Sequence, residues 1–563
     1  MSELPGVDER RAALERRHGP WERRTLDGML DAVVAEHPDR PFVLTDEATC
    51  TYAEIAEWSH RLARGLVARG VAPGERVALV IPNRPELVAL LFAIARAGAV
   101  AVPVNVALRT RELGSVLRQS QAVAVVAAGQ VRAIDHAAAL EEVAGELEDL
   151  RLEVTTAPEQ RPTAVPLDAL AVDADDELDV ALATRATNAR AGGGRFPATI
   201  FYTSGTSGEP KGVVLEHDML LRSAYGSALT RAFEDGRRIL FSLPLQHVFG
   251  YVEGLLASMF AGGAVILQEA FDPHATLAAV ERHRANEALF VPTMSLVVVE
   301  AAQETDHDLS SLHSVMSAAS SAPARLWGQL RERLGLTQLV TGYGMTETSA
   351  ATTFTRPGDR IDLLVETVGR PKLGGIAGPL AEYRTVDPES GEALAPAAEG
   401  ELAVRGAIVT HGYHDAPEET AAVLGEGGWL RSGDLGRIGL DGYLRLTGRS
   451  KDLYRCGSET VMPTEVESRL TERDDVSQAH VVPIPHDRMG EVGVAFVVPA
   501  AGASPEAADL IEHCRATLAR FKVPEHVILI DADELPLTSS GKVRKFLLAR
   551  RARQELLPQP SDA

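Results

Sequence analysis

Cysteine is nearly missing from this chain: 563 residues hold three, Cys50, Cys456 and Cys514, far apart and with no CxxC pair. That scarcity excludes a disulfide framework and argues against a thiolate zinc site, and it predicts a reduced, cytoplasmic protein. Basic charge is in deficit too. Asp and Glu outnumber Lys and Arg by 79 to 56, a formal net charge of −23, so no basic field exists to hold nucleic acid as a main partner. Long apolar runs are also lacking. The longest region, Leu87 to Leu108, is cut by Arg96, Pro103 and Asn105, which fits a buried helix running into a strand and not a transmembrane segment. Residues 1–25 mix Glu and Arg without an apolar core; they read as a charged leader, neither a secretory signal nor a typical transit peptide.

What is present is ordinary globular composition, 45% hydrophobic and 24% charged, over a length that exceeds a single core. Helical spacing over Leu26 to His37 precedes a short hairpin, Phe42 to Leu44 with Thr49 to Tyr52. Helix and strand then alternate: Tyr52 to Val67, Arg76 to Ile81, Pro85 to Ala97, Ala99 to Val104. That rhythm predicts an open, largely parallel α/β sheet. The small, Gly-rich stretch Thr184 to Gly194 reads as a mobile loop or a plain linker. Buried strands follow at Leu240 to Leu243, Ala264 to Leu267, Ala288 to Val291 and around Val315. Short β runs from Val368 to Val409 predict a small antiparallel piece, and the last hundred or so residues a compact β/α unit.

The chemistry gathers in a few strings. Tyr202 to Gly212, YTSGTSGEPKG, combines glycines that let backbone N–H groups close on an anion, four hydroxyls, and one lysine. It lacks the Gly-Lys-Ser/Thr ending of a Walker A loop, because Pro210 and Gly212 flank Lys211. By turn chemistry alone it also reads as a polar surface turn. In Thr341 to Glu347, TGYGMTE, Tyr343 offers a ring to stack on a flat base, Thr346 a donor to phosphate, and Glu347 a hard oxygen for Mg²⁺; a buried tyrosine with a capping threonine is the bland alternative. Asp434 in GWLRSGD suits two ribose hydroxyls, or an ordinary turn. PLQHVFG (Pro244 to Gly250) and LPLTSSGKVRK (Leu535 to Lys545) add a histidine turn and a glycine-supported lysine, Lys542.

Taken in order from about Leu26 to Leu547, these strings closely resemble the adenylate-forming enzymes, the acyl-CoA synthetase type among them. The resemblance implies a large N-terminal domain (26–448) of two α/β sheet subdomains plus a β-rich subdomain. A small mobile α+β C-terminal domain (449–563) follows, hinged at Lys451. It implies ATP-dependent activation of a fatty or aromatic carboxylic acid, with Mg²⁺, and transfer of the acyl group to coenzyme A. A stand-alone enzyme loading a carrier protein, one using another acceptor or a non-carboxylate substrate, and a binding module without catalysis remain as other readings. By resemblance, Lys542, Lys211, Thr346 and Glu347 are catalytic. Thr203, Ser204, Gly205, Thr206, Ser207, Gly208, Ser317, Ala318, Ala319, Gly342, Tyr343, Gly344, Met345, Asp434 and Arg449 join them around ATP. His247, Val248, Phe249, Tyr251 and Met345 face the acid, and Gly457 faces the coenzyme A tunnel. Ala318 and Ala319 stand where relatives usually have glycine, Ser458 where they commonly have a second glycine, and Leu537 where they commonly have lysine.

Overall fold

A computed structural model of the chain describes residues 4–204, 210–320, 322–449, 453–456, 459–486, 489–538 and 542–557. Two seven-stranded sheets form its bulk. The first places strands in the order Pro210–Glu216, Pro197–Ser204, Val100–Pro103, Arg76–Val80, Ala122–Ala127, Leu152–Thr155 and Val165–Pro166. All pairs are parallel except that of the two strands flanking the Ser/Gly-rich stretch. All six residues of Ala122–Ala127 are buried, as a parallel strand with both faces covered requires. The second sheet runs Gln338–Val340, Ser314–Ser317, Glu287–Phe290, Arg238–Phe241, Ala264–Leu267, Pro41–Leu44 and Thr49–Thr51. The early hairpin therefore forms as expected but joins the distant sheet, pairing Val43 with Val265.

The Gly-rich stretch needs correction. Asp176–Ala191 is a sixteen-residue helix, and only the glycines after it are non-helical. Tertiary anchors override the polar composition. Arg64 bonds Asp179 at 2.7 Å, Arg185 donates to the carbonyls of Val71 and Ala97 at 2.9 and 2.7 Å, and Leu182 is buried. The charged leader also holds a helix, Val7–His18, packed on the helix His217–Thr230. Arg11 donates to the last carbonyls of that helix, Leu229 O and Thr230 O, at 3.1 and 2.9 Å. Those carbonyls have no partner within the helix, so a cation there satisfies them and opposes the helix dipole. Trp21 Nε1 donates to Asp218, and the Leu26 amide donates to His217 Nδ1. Burial pushes the His217 imidazole down to about 3, so it stays neutral as an acceptor.

Four antiparallel strands, Glu382–Val386, Gly400–Arg405, Leu430–Ile438 and Leu444–Arg449, make the β-rich piece. A separate core built on Val476–His486 and Gly490–Pro499 forms the C-terminal unit, flanked by the helices Pro463–Thr471, Ala507–Arg515 and Lys545–Leu556. Among the described residues, no helix is long and apolar enough to cross a membrane.

Deep in the large part lies a set of buried charges. Glu287 bonds Arg231 at 3.0 Å and Arg237 at 3.1 Å, with all three side chains fully buried. The Phe233 ring lies 4.6 Å from each of the two guanidiniums. Lys372 Nζ reaches Glu253 at 3.0 Å and the Ser223 hydroxyl at 2.8 Å; burial lowers it to about 8 against the pull of Glu253. Truncating Glu287 to alanine strands positive charge in the interior, which typically costs about 3–5 kcal/mol. We expect Glu287→Ala to lower the denaturant midpoint of the large part by a corresponding amount, read by tryptophan fluorescence. A loss under about 1 kcal/mol would mean that these guanidiniums relax to other partners.

Candidate active site

The carboxyl ends of Arg76–Val80 in the first sheet and Arg238–Phe241 in the second lie close together, and such ends are the usual place for a ligand in open α/β folds. Their neighbouring loops are tied together by Asn83, just beyond Arg76–Val80. Its amide donates to Leu243 O at 2.9 Å, and its oxygen accepts from the Leu245 amide at 2.9 Å. The loop holding His247 is thus clamped to the first sheet. Asn83 escaped the sequence reading because a lone asparagine in a loop has no distinctive pattern.

The clamped loop continues into an eight-residue π-helix, Phe249–Leu256, so part of the expected histidine turn is helical. Val248, Phe249 and Tyr251 are buried in the main core, and the Tyr251 ring meets Phe201 edge-on at 5.4 Å. His247 Nδ1 accepts from the Phe249 amide at 3.3 Å, which leaves the proton on Nε2. Burial, with the Lys542 ammonium adding to it, pushes this imidazole down to about 4. Lys542 lies in the other unit of the fold, and its charge acts on His247 across the boundary. Its loop is closed by Thr538 N to Lys542 O at 2.7 Å and Lys542 N to Thr538 Oγ1 at 3.0 Å. Arg325, on the helix Ala324–Arg333, adds a second link between the units by donating to the Asp474 and Val476 carbonyls.

The strand Gly342–Met345 pairs with Ala350–Phe354. Its glycines have a packing reason beyond exposing the tyrosine ring. A Cβ on Gly342 would sit 2.6 Å from Thr353 O, and one on Gly344 2.1 Å from Ala350 O. Tyr343 OH donates to Asp434 at 2.6 Å, and Asp434 lies directly across the ladder from Arg449. The expected base-stacking and ribose residues thus stand side by side. Thr346 and Glu347 follow in a 3-10 turn. Met345 packs against the cluster of Val404, Val409 and Leu430, on the side of the antiparallel sheet.

Lys211 lies opposite Thr203 in the hairpin register, and the backbone of Ser204 pairs with Pro210. The Lys211 ammonium is 5.4 Å from the Tyr413 ring centroid, and Tyr413 OH donates to Glu347 at 2.8 Å. Tyr413 was missed; the available signal was its place in THGYHDAPEET, outside the quoted strings. Gly205, Thr206, Ser207, Gly208, Lys451 and Gly457 lie outside the described residues. Ser317 is fully buried and bonds Ser295 Oγ at 2.9 Å. Ala318 is buried, while Ala319 adopts φ 78°, the left-handed region that favours glycine. As for a cation, Glu347 offers a carboxylate oxygen, and among the described residues no three acidic, histidine or cysteine side chains gather. That donor set fits Mg²⁺ held by one carboxylate, with phosphate oxygens and water as its other ligands.

Comparison with known proteins gives a consistent result. The family profile described as AMP-binding enzyme matches residues 30–414, and the AMP-binding enzyme C-terminal domain matches 465–542. The chain is 34% identical to the 3-[(3aS,4S,7aS)-7a-methyl-1,5-dioxo-octahydro-1H-inden-4-yl]propanoyl:CoA ligase of Mycobacterium tuberculosis, over 93% of this chain and 98% of that one. It is 36% identical to the feruloyl-CoA synthase of an Amycolatopsis species, over 89% and 94%. The solved structure of ATP-bound MatB from Rhodopseudomonas palustris superposes with a TM-score of 0.79 at 26% identity, over 94% of this chain and 99% of that one.

The conformation of Ala319 yields a test. Left-handed backbone costs a non-glycine residue about 1–2 kcal/mol, whereas glycine's added chain entropy costs roughly 0.5–1 kcal/mol. Ala319→Gly should hold or slightly raise the thermal midpoint, while Ala318→Gly, at a buried site, should lower it. Calorimetry of the two variants distinguishes them; a drop for Ala319→Gly would mean that its methyl has packing worth more than the strain.

Proposed function

The chain belongs to the AMP-binding enzyme family and is an AMP-forming acid–thiol ligase, and from that premise we propose as its substrate a carboxylic acid whose acyl group is apolar or aromatic and carries no further charge. The enzyme type activates a carboxylic acid with ATP and passes the acyl group to coenzyme A. The acid reading is supported by the buried wall of Val248, Phe249 and Tyr251 and by a His247 that stays neutral well below pH 7. Two relatives whose names specify ring-bearing acyl groups add to it. Three free cysteines suit the reducing cytoplasm as its location.

In the first step a substrate carboxylate oxygen attacks the α-phosphorus of ATP. The bond to the bridging oxygen breaks, and pyrophosphate leaves with the electron pair. A carboxylate is already nucleophilic, so the protein's task is to align the groups and neutralise charge. We assign Lys211, Thr203 and the hydroxyls of its loop to the outer phosphates, Tyr343 to adenine, and Asp434 with Arg449 to ribose. Mg²⁺, when bound at Glu347, would neutralise phosphate charge. Lys542 is assigned to the meeting point of carboxylate and α-phosphate; the match of the C-terminal-domain profile through residue 542, with that unit held against the large part by Arg325, supports this reading. In the second step the deprotonated thiol of coenzyme A attacks the acyl carbon, and AMP departs. We set the domain boundary at Arg449, with Lys451 as the hinge that exchanges Lys542 for the Gly457 segment between steps.

Lys542→Ala should therefore slow ATP–pyrophosphate exchange by about 10²–10³ yet convert supplied acyl-adenylate and coenzyme A at a near-normal rate. Lys451→Pro should do the reverse, because fixing φ hinders the swing more than the first pose. Equal loss of both half-reactions in a folded Lys542→Ala protein would sink the assignment.

A further inference from the structure

Tyr413 has no part in the assignments above, yet its side chain lies between two of the residues in them. Lys211 and Glu347 are on separate elements, a strand of the first sheet and the turn after Gly342–Met345. The segment 410–414 is bonded to both. Thr410 N donates to Glu347 O at 2.7 Å, and Thr410 Oγ1 donates to Val214 O at 2.6 Å. Val214 N donates to Gly412 O at 3.2 Å, His414 N to Gly212 O at 2.7 Å, and Tyr413 bridges Val213 across the ladder. The Tyr413 amide is held in turn by Thr420 Oγ1 at 2.9 Å.

From this fixed backbone the side chain serves two neighbours with two different parts. Its hydroxyl, protonated at neutral pH, donates to Glu347 Oε1 at 2.8 Å. Its ring lies 5.4 Å from the Lys211 ammonium, within the range where the ring quadrupole attracts a cation. A flexible lysine and a flexible glutamate are thereby held by one rigid side chain with two rotatable bonds.

We propose that Tyr413 is a positioning residue that sets the Lys211 ammonium and the Glu347 carboxylate against each other for the phosphates of ATP. The proposal rests on the assignment of those two residues to the phosphates. Its hydroxyl orients the carboxylate, its ring orients the ammonium, and the two roles separate by substitution.

Tyr413→Phe keeps the ring and removes the hydroxyl. ATP–pyrophosphate exchange should fall about tenfold, as for a lost hydrogen bond to a charged group, and the Mg²⁺ concentration for half-maximal exchange should rise. KM for ATP and for the acid should stay within about twofold. Tyr413→Leu removes both parts, so KM for ATP should also rise about three- to tenfold, the range of a lost cation–π contact. Titration calorimetry with α,β-methylene-ATP, which is not turned over, should show weakened binding for Tyr413→Leu and near-normal binding for Tyr413→Phe. Two results overturn the inference: wild-type exchange and analogue binding in both variants, or a uniform loss in acid and ATP parameters with a lowered melting midpoint. The underlying assignment fails separately, if Lys211→Met and Glu347→Gln leave exchange unchanged.

Discussion

Five charges shut away from water hold the large part of this molecule in register. Glu287 on one central strand takes Arg231 and Arg237; Glu253 on the π-helix takes Lys372 and the Ala351 amide, at 3.0 Å each. Each charge would be costly alone, and each is tolerable because its partner and its hydrogen bonds come with it. The consequence is geometric. The π-helix Phe249–Leu256, the helix after Lys211, and the strand paired with Gly342–Met345 converge on Glu253 and Ser223. The proposed acid-binding wall and the proposed nucleotide-binding strand thus share one buried carboxylate, which ties the position of each to the other.

The site is accordingly assembled from pieces with no common local sequence. Asn83 clamps the histidine loop from the first sheet, and in the proposed arrangement the antiparallel piece supplies Asp434 and the C-terminal unit Lys542. Among the described residues, contact between the two units includes Arg325 donating to two carbonyls and Thr464 Oγ1 donating to Thr447 O at 2.6 Å. Hydrogen bonds from a cation to backbone carbonyls contribute about 1.5–3 kcal/mol, enough to favour one arrangement and weak enough to be exchanged for another.

Much of this was legible in the residues, and the reasons differ by element. Periodicity gave Tyr52–Ala68 and Pro85–Arg96 almost to the residue, because local burial on a helix face writes itself into spacing. The strings around Lys211, Tyr343 and Asp434 were readable through their combined resemblance to the adenylate-forming enzymes, since each alone also fits an ordinary turn or a buried tyrosine. The helix Asp176–Ala191 was hidden because its small apolar residues are spread around it and form no single face; its anchors, Arg64 and residues 71 and 97, lie far away in the chain. Sheet membership was equally invisible: nothing in Pro41–Leu44 says that its partner is Ala264–Leu267. Asn83 and Tyr413 were missed for the same reason, since each acts on residues brought near only by the fold.

That long-range pairing has a consequence for the birth of the chain. The strand Pro41–Leu44 cannot take its place in the second sheet until residue 267 has been made. At ribosomal rates of roughly 5–20 residues per second, the hairpin waits on the order of ten to forty seconds beside a first sheet whose parallel strands through Val165–Pro166 emerge much sooner. Through that interval Phe42 and Val43, fully buried at the end, have no sheet to lie against. The leader helix waits similarly, because its seat at residues 217–230 is also made late. Synthesis thus keeps the leader helix and the strand Pro41–Leu44 waiting longest for their seats, while the helix Leu26–Glu36 between them can already pack on Tyr52–Ala68 and Pro85–Arg96.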